Sequence, residues 1–296
     1  MKPAAAAVAS PRSRLADLFV FTKVRVNVLV VATTAGGYYM ASPDGMNLVV
    51  LAATVVGTAL VAGGAAALNQ ISERDIDALM DRTRHRPLAE GRMGLGEARA
   101  IAWASAFGGV LLLAVAANLL AAAIAAITLV IYAHVYTPMK RVTSFSTVVG
   151  AVPGALPPMI GWAAARNAVD APAWALFLIV FLWQMPHFLA IAWLYREDYG
   201  RAGLQMLPVV EPDGASTSRQ SLLYAAALVP VSILPSALGL AGLAYAASAL
   251  ALGLVFLGVG VKFAMSRTKQ NARLLFTMSL IYLPALWIVM MFDRSH

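Results

Sequence analysis

Seven stretches of this 296-residue chain contain no Asp, Glu, Lys or Arg, and they leave few folds open: 26–43, 45–72, 100–139, 142–165, 171–195, 220–261 and 274–292. A bilayer core needs about 20 apolar residues per crossing helix, so each stretch is a candidate span. The two longest, 40 and 42 residues, must each hold a hairpin, with turns expected near Asn118 and near Gly239 to Gly242. The count is then nine crossings. Composition agrees, since 60% of the chain is hydrophobic and 12% charged, against roughly 25% charged in soluble domains.

Nine crossings put the termini on opposite sides. Of the 22 Lys and Arg, all but Arg166 and Arg294 then fall in the connections on the amino-terminal side. Positive charge collects on the cytoplasmic side of a membrane, so the expected protein is an all-α, multi-pass bundle of nine transmembrane helices in a bacterial inner membrane. Its amino terminus and its polar cavity would face the cytoplasm. The net charge of +8 suits anionic lipid rather than nucleic acid, because the bases flank apolar spans. Residues 1–20 read as a loose cytoplasmic tail, since the alanine run closed by Pro11, Arg12 and Arg14 is too short for a signal-peptide core. Residues 21–296 read as one transmembrane domain. With no cysteine, neither disulfides nor thiolate metal sites are available.

The densest charge lies at 69–92, NQISERDIDALMDRTRHRPLAEGR. Asn69, Glu73 and Asp77 stand four apart, and residues four apart share one face of a helix. Oxygen-bearing side chains aligned in this way suit a hard divalent ion such as Mg²⁺, and Arg82, Arg84 and Arg86 follow at once. A carboxylate ladder beside arginines is the chemistry that holds a diphosphate. Asp81 lies about 120° round from Asn69 and is as well placed to pair with Arg82 or Arg84.

A second polar cluster closes the sixth span, where WQMPHFLAIAWLYREDY carries His187, Tyr195, Arg196, Glu197, Asp198 and Tyr199. Pro186 kinks a helix and frees a carbonyl. His187 lies about two turns inside the charged end, an intramembrane ionisable group of the kind that usually marks function; a histidine bonded to a neighbouring helix is the alternative. Tyr136, Lys140 and Arg141 end the fourth span, where two cations could reach a phosphate or simply anchor the helix. Pro153, Gly154, Pro157 and Pro158 make the fifth span irregular, and irregular backbone at membrane depth lines a cavity. His85 and His134 are less informative. The connections 69–99 and 195–219 are four helices apart, a spacing that hints at a parallel internal repeat.

Four segments together resemble the UbiA-type intramembrane prenyltransferases: NQISERDIDALMDRTRHRPL at 69–88, YTPMKR at 136–141, VVGAVPGALPPMIGW at 148–162, and WQMPHF with YREDY and AGLQMLP at 183–208. The PPMIGW and PHF segments are similar to the branch that farnesylates protohaem. The resemblance covers the chain from about residue 20 onward. It implies a farnesyl diphosphate donor held by Mg²⁺ or another divalent cation, a haem b acceptor, and a haem a synthase or oxidase assembly protein downstream. Carried across, Asn69, Glu73 and Asp77 are catalytic and metal-binding, with His187 catalytic and Asp198 a further metal ligand. Arg82, Arg86, Tyr136, Lys140, Arg141, Tyr195, Arg196, Asp198 and Tyr199 are substrate-binding. The superfamily's second motif has two aspartates four apart where this chain has Tyr195 and Tyr199, and Ser146 stands where the haem branch has Asn. Those departures leave the second metal-binding group open.

Two other functions fit parts of the pattern. A UbiA-type transferase acting on an aromatic or quinone precursor would explain the ladder but not PPMIGW and PHF. A secondary transporter would also have broken helices, yet transporters place coupling sites near the midplane between inverted repeats. Here the acids collect at one face.

Overall fold

The computed structural model describes residues 13–295. Eight helices among them are long and apolar enough to cross a membrane: α2 (Leu48–Asp77), α3 (Leu95–Ala116), α4 (Leu119–Met139), α5 (Ser146–Arg166), α6 (Ala171–Leu194), α7 (Ala215–Ala237), α8 (Leu243–Met265) and α9 (Lys269–Phe292). Ahead of them α1 (Val24–Ala41) is an 18-residue helix of the bundle that opens on Val-Arg-Val-Asn and carries Thr33, Thr34, Gly36 and Gly37. It falls short of the apolar character of the other eight. The all-helical bundle is as expected, and a ninth crossing rests on α1.

Both expected hairpins are present. Asn118 caps α4, its side chain accepting from the Ala121 amide, and a turn with Gly239 at φ 74° separates α7 from α8. Of the expected tail, residues 1–12 lie outside the described residues. From Arg14 the chain is helical as far as Phe21, capped by Ser13, and Arg92 pins this helix through Asp17 at 2.9 Å.

Small residues let the helices meet at backbone distance. A Cβ on Gly64 of α2 would stand 2.7 Å from the Ala106 nitrogen of α3, and one on Gly161 of α5 would stand 1.9 Å from the Thr34 carbonyl oxygen of α1. Contact this close between backbones is what Gly supplies in membrane bundles. Two apolar cores result. One gathers Val61, Ala65, Ala102, Ala106 and Leu113, the other Trp183, Phe256, Tyr282 and Trp287. α5 lies between them, giving Ile160 and Ala163 to the first and Met159 and Trp162 to the second.

Two helices are locally irregular. α5 breaks at Leu156, between segments ending at Ala155 and restarting at Pro157. α4 widens into a π turn over Ile131–Tyr136. Pro138 has no N–H for the His134 carbonyl and its ring would clash with it, so the turn opens. Thr137 secures the widened turn, donating both its backbone N–H and its hydroxyl, the latter at 2.8 Å, to the Tyr132 carbonyl. Such bulges recur at functional sites. Here Tyr132 and Tyr136 both face a cavity of about 280 Å³ enclosed by α1, α2, α4, α5, α6 and α9.

Candidate active site

α2 does not stop where its apolar residues stop. It runs on to Asp77, and the four-residue spacing puts Asn69, Glu73 and Asp77 on one buried side, at 1%, 5% and 1% exposure. Three buried oxygen-bearing groups in a row repel each other unless cations intervene. Each rung meets one. Lys23, just before α1, donates to Asn69 Oδ1 at 2.9 Å. Lys140, just after α4, donates to Glu73 Oε1 at 2.6 Å, and Arg86 donates to Asp77 Oδ2 at 2.6 Å. Asn69 also donates to the Thr137 hydroxyl at 3.2 Å, which ties the ladder to the π turn.

The cations are held from behind. The Lys140 ammonium lies 4.5 Å from the centre of the Tyr136 ring. Burial works against its charge, but Tyr136 and Glu73 outweigh that and hold it above the ordinary lysine range. Lys23 is the opposite case. Burial first, then Arg86 and Lys140, pull its ammonium down to about 7.

The segment after α2 and the segment after α6 fold over this end together. Arg82 lies over the rings of Tyr195 and Tyr199 at 5.2 and 5.6 Å and donates to the Tyr199 hydroxyl at 3.1 Å. Arg201 bridges Asp81, at 2.7 Å, to Asp198. Met80 is buried with Ala202, Leu204 and Met206 between the two segments, and the Gln205 amide donates to the Lys140 carbonyl at 2.8 Å. Asp81 is therefore off the ladder, exposed and paired with Arg201 and Arg84.

Not every expected contact gathers at the ladder. Asp198 is committed to Arg201. Arg141 reaches the Ser72 carbonyl on the exposed side at 3.3 Å, and Arg196 packs on Trp193, 4.4 Å from its ring centre. His187 lines the cavity rather than the ladder.

The residues present fit a divalent cation. Their donor set is all oxygen, as hard ions prefer, and Asp77 Oδ1 is buried without a partner among the described residues. No three acids or histidines among those residues converge into a closed metal site.

Residues 29–283 match the model of the UbiA prenyltransferase family. The chain belongs to that family. It is similar along almost its whole length to proteins named protoheme IX farnesyltransferase. That of Solibacter usitatus is 47% identical over 94% of this chain and 98% of the relative. That of Koribacter versatilis is 44% identical over 96% of this chain and 94% of the relative. Among solved structures, a digeranylgeranylglyceryl phosphate synthase matches 94% of this chain and 98% of its own at 18% identity, with a TM-score of 0.79. A UbiA homologue from Archaeoglobus fulgidus bound to GPP and Mg²⁺ matches 93% and 99% at 15% identity, with a TM-score of 0.64. These two likenesses concern the fold. The chain is a UbiA-type prenyltransferase of the membrane.

The sequence reading missed Lys23, counted there only as one more cation of the tail, and Ser279, a small polar residue within an apolar span. A place three residues ahead of the first charge-free stretch was the one available signal for the former. Nothing in the spacing marks Ser279.

Proposed function

We propose that this enzyme transfers the farnesyl group of farnesyl diphosphate to a vinyl group of haem b, releasing diphosphate and giving haem o for terminal oxidases. The observation that carries this reading is the adjacency of two unlike spaces. The cation-faced ladder sits at the charged end of α2, and an apolar cavity begins one turn further in, at Ala65 and Ala66. Near-complete alignment with proteins named protoheme IX farnesyltransferase supports the donor and acceptor chosen.

In this reading Asn69, Glu73 and Asp77 hold a divalent cation, with Asp198 the further candidate ligand on the opposing segment. A bound divalent ion offsets the charge that develops on the leaving diphosphate. Lys23, Arg86 and Lys140 each touch one rung, so they surround the same place and steady the leaving group from three sides. Arg82, Tyr195, Tyr199, Arg141 and Arg196 bound the entrance. The allylic carbon must be kept from water until the carbon–carbon bond forms. Tyr132, Trp183 and Phe188 supply apolar walls whose ring faces stabilise a passing cation by about 0.5–2 kcal/mol each.

The orientation belongs to the same proposal: nine crossings with α1 included, the amino terminus and the ladder on the cytoplasmic side of a bacterial inner membrane. Incubating the purified protein with labelled farnesyl diphosphate, Mg²⁺ and haem b, or instead an aromatic acid acceptor, tests the reading. Label in the haem fraction supports it; label only in the aromatic product sinks it.

A further inference from the structure

His187 stands apart from the ladder and is held with unusual definition. Its Nδ1 lies 2.7 Å from the hydroxyl of Ser279. That hydroxyl has a single proton and gives it to the Phe276 carbonyl at 2.5 Å. Ser279 can therefore only accept from the imidazole, and Nδ1 must carry a hydrogen. The other nitrogen, Nε2, has no hydrogen-bond partner and is not among the fully buried unpartnered atoms of the described residues. His187 is one of the residues that line the cavity.

Aromatic neighbours hold the plane of the ring, and the Nδ1 contact with Ser279 favours this orientation over its flip. The ring is stacked on Trp183, centroids 5.2 Å apart, and lies 5.0 Å from the Phe276 ring. The Trp183 indole is fixed by the same residue, donating to the Ser279 carbonyl at 2.7 Å. No carboxylate lines the cavity, so nothing there would compensate an imidazolium. What projects inward is a neutral imidazole with an unshared pair on Nε2. Such a group accepts a proton. It cannot donate one to a haem propionate.

We propose that His187 Nε2 is the general base that takes the proton of the adding water, and that Ser279 is the positioning residue that fixes the required tautomer. The proposal rests on the farnesyl-to-haem reading above. The vinyl π pair forms the bond to farnesyl C1 as diphosphate leaves with its bonding electrons. The ring-attached carbon of the former vinyl group becomes the cation. A water oxygen bonds to that carbon, its proton passes to Nε2, and the imidazolium then returns it to the released diphosphate. No oxidant or reductant is needed. The other basic side chain lining the cavity, Lys23, is engaged with Asn69 Oδ1 at 2.9 Å, whereas Nε2 of His187 has no partner among the described residues.

The test is product partition in detergent-purified full-length protein, with farnesyl diphosphate, Mg²⁺, haem b and isotopically labelled water. Farnesylated haem is resolved by mass into hydroxylated product and a species lighter by one water, formed when the cation loses a proton instead. His187→Gln is expected to lower the ratio of hydroxylated to dehydrated product by about 100-fold, the usual scale of a general base. Ser279→Ala should lower it by about tenfold, with Ser279→Thr, which keeps the hydroxyl, restoring it. Selective ¹⁵N labelling of histidine should show Nδ1 protonated and Nε2 bare in the wild type and in Ser279→Thr. An unchanged ratio in His187→Gln would overturn the proposal, as would an unchanged ratio in Ser279→Ala if the first variant does not fold. A change in the haem absorption bands in His187→Gln at an unaltered ratio would make His187 an iron ligand and likewise overturn it. Wild-type protein that yields no farnesylated haem of either mass would refuse the underlying reaction, which is a different result from an unaltered ratio.

Discussion

Arg86 and Asp77 form an ion pair at 2.6 Å that uses one carboxylate oxygen and leaves the other, Oδ1, buried without a partner. An arginine alone therefore does not complete this carboxylate. In the function proposed above, the free oxygen is where a divalent ion would meet the protein.

Asp77→Asn should remove most divalent-ion-dependent turnover, about 100-fold or more, while the protein still inserts and purifies as a folded bundle. Glu73→Gln should behave similarly. Asp81→Asn should stay within about threefold, because Asp81 is exposed and paired with Arg201 and Arg84. Prenyl transfer assayed across a Mg²⁺ titration decides the matter, and near-normal turnover by Asp77→Asn would remove the ladder from metal binding.

Lys23→Met should weaken prenyl diphosphate binding. A charge-assisted hydrogen bond contributes about 1.5–3 kcal/mol, so a loss of about 10- to 100-fold in Kd is expected. Lys269→Met is the control: that lysine is exposed and pairs with Glu197 at 3.2 Å, and its loss should be nearly silent. Calorimetric titration with an unreactive farnesyl diphosphate analogue gives both values; equal affinities would take Lys23 out of the site.

Reporter fusions after Pro87, Lys140, Gly203 and Gln270 should read cytoplasmic, and one at Asp170 external. These positions fall at junctions between helices from α2 to α9, so a miscounted crossing among those helices would split the pattern. A cytoplasmic signal at Asp170 beside cytoplasmic signals at Lys140 and Gly203 would mean that α5 and α6 do not cross, and would refute the nine crossings.

Gly64→Ala should cost about 1–3 kcal/mol, because its Cβ would meet the Ala106 nitrogen at 2.7 Å and the Ala102 carbonyl oxygen at 2.8 Å, neither of which can yield. Gly108→Ala on the same helix pair meets nothing within 4 Å and should be neutral or raise stability slightly. Thermal melting of the two variants in one detergent gives the comparison; a Gly64→Ala protein as stable as wild type would mean that α2 and α3 can separate freely.

Much of this was legible because a bilayer forbids unsatisfied backbone. The helices had to be long and apolar, so their edges could be read from charge, and the turn near Asn118 from the length of the charge-free stretch that holds it. The ladder was legible for a related reason, since a four-residue spacing needs only a helix to align it. Helix α1 was harder. Arg25, Asn27 and the Thr-Thr-Ala-Gly-Gly run dilute its apolar character, because this helix packs its backbone against α5 and turns polar groups to the cavity instead of lipid. The partners of His187 and Asn69 could not be read at all. Ser279 and Lys23 lie 92 and 46 residues from the groups they orient, and no local pattern records a contact across that distance. The π turn falls between these cases: Pro138 announces a disturbance, but which turn it widens depends on how Thr137 reaches back to Tyr132.

Because α2 is one continuous helix from its Asn47 cap to Asp77, the ladder and one wall of the cavity are carved on a single rigid rod. A substrate whose head is fixed at Asn69 meets Ala66, Ala62 and finally Thr58 at intervals dictated by helical rise, about 16 Å from Asn69 to Thr58. In the proposed reading α2 would thus serve as a ruler for hydrocarbon length, with its zero mark at the ladder and its graduations along the helix.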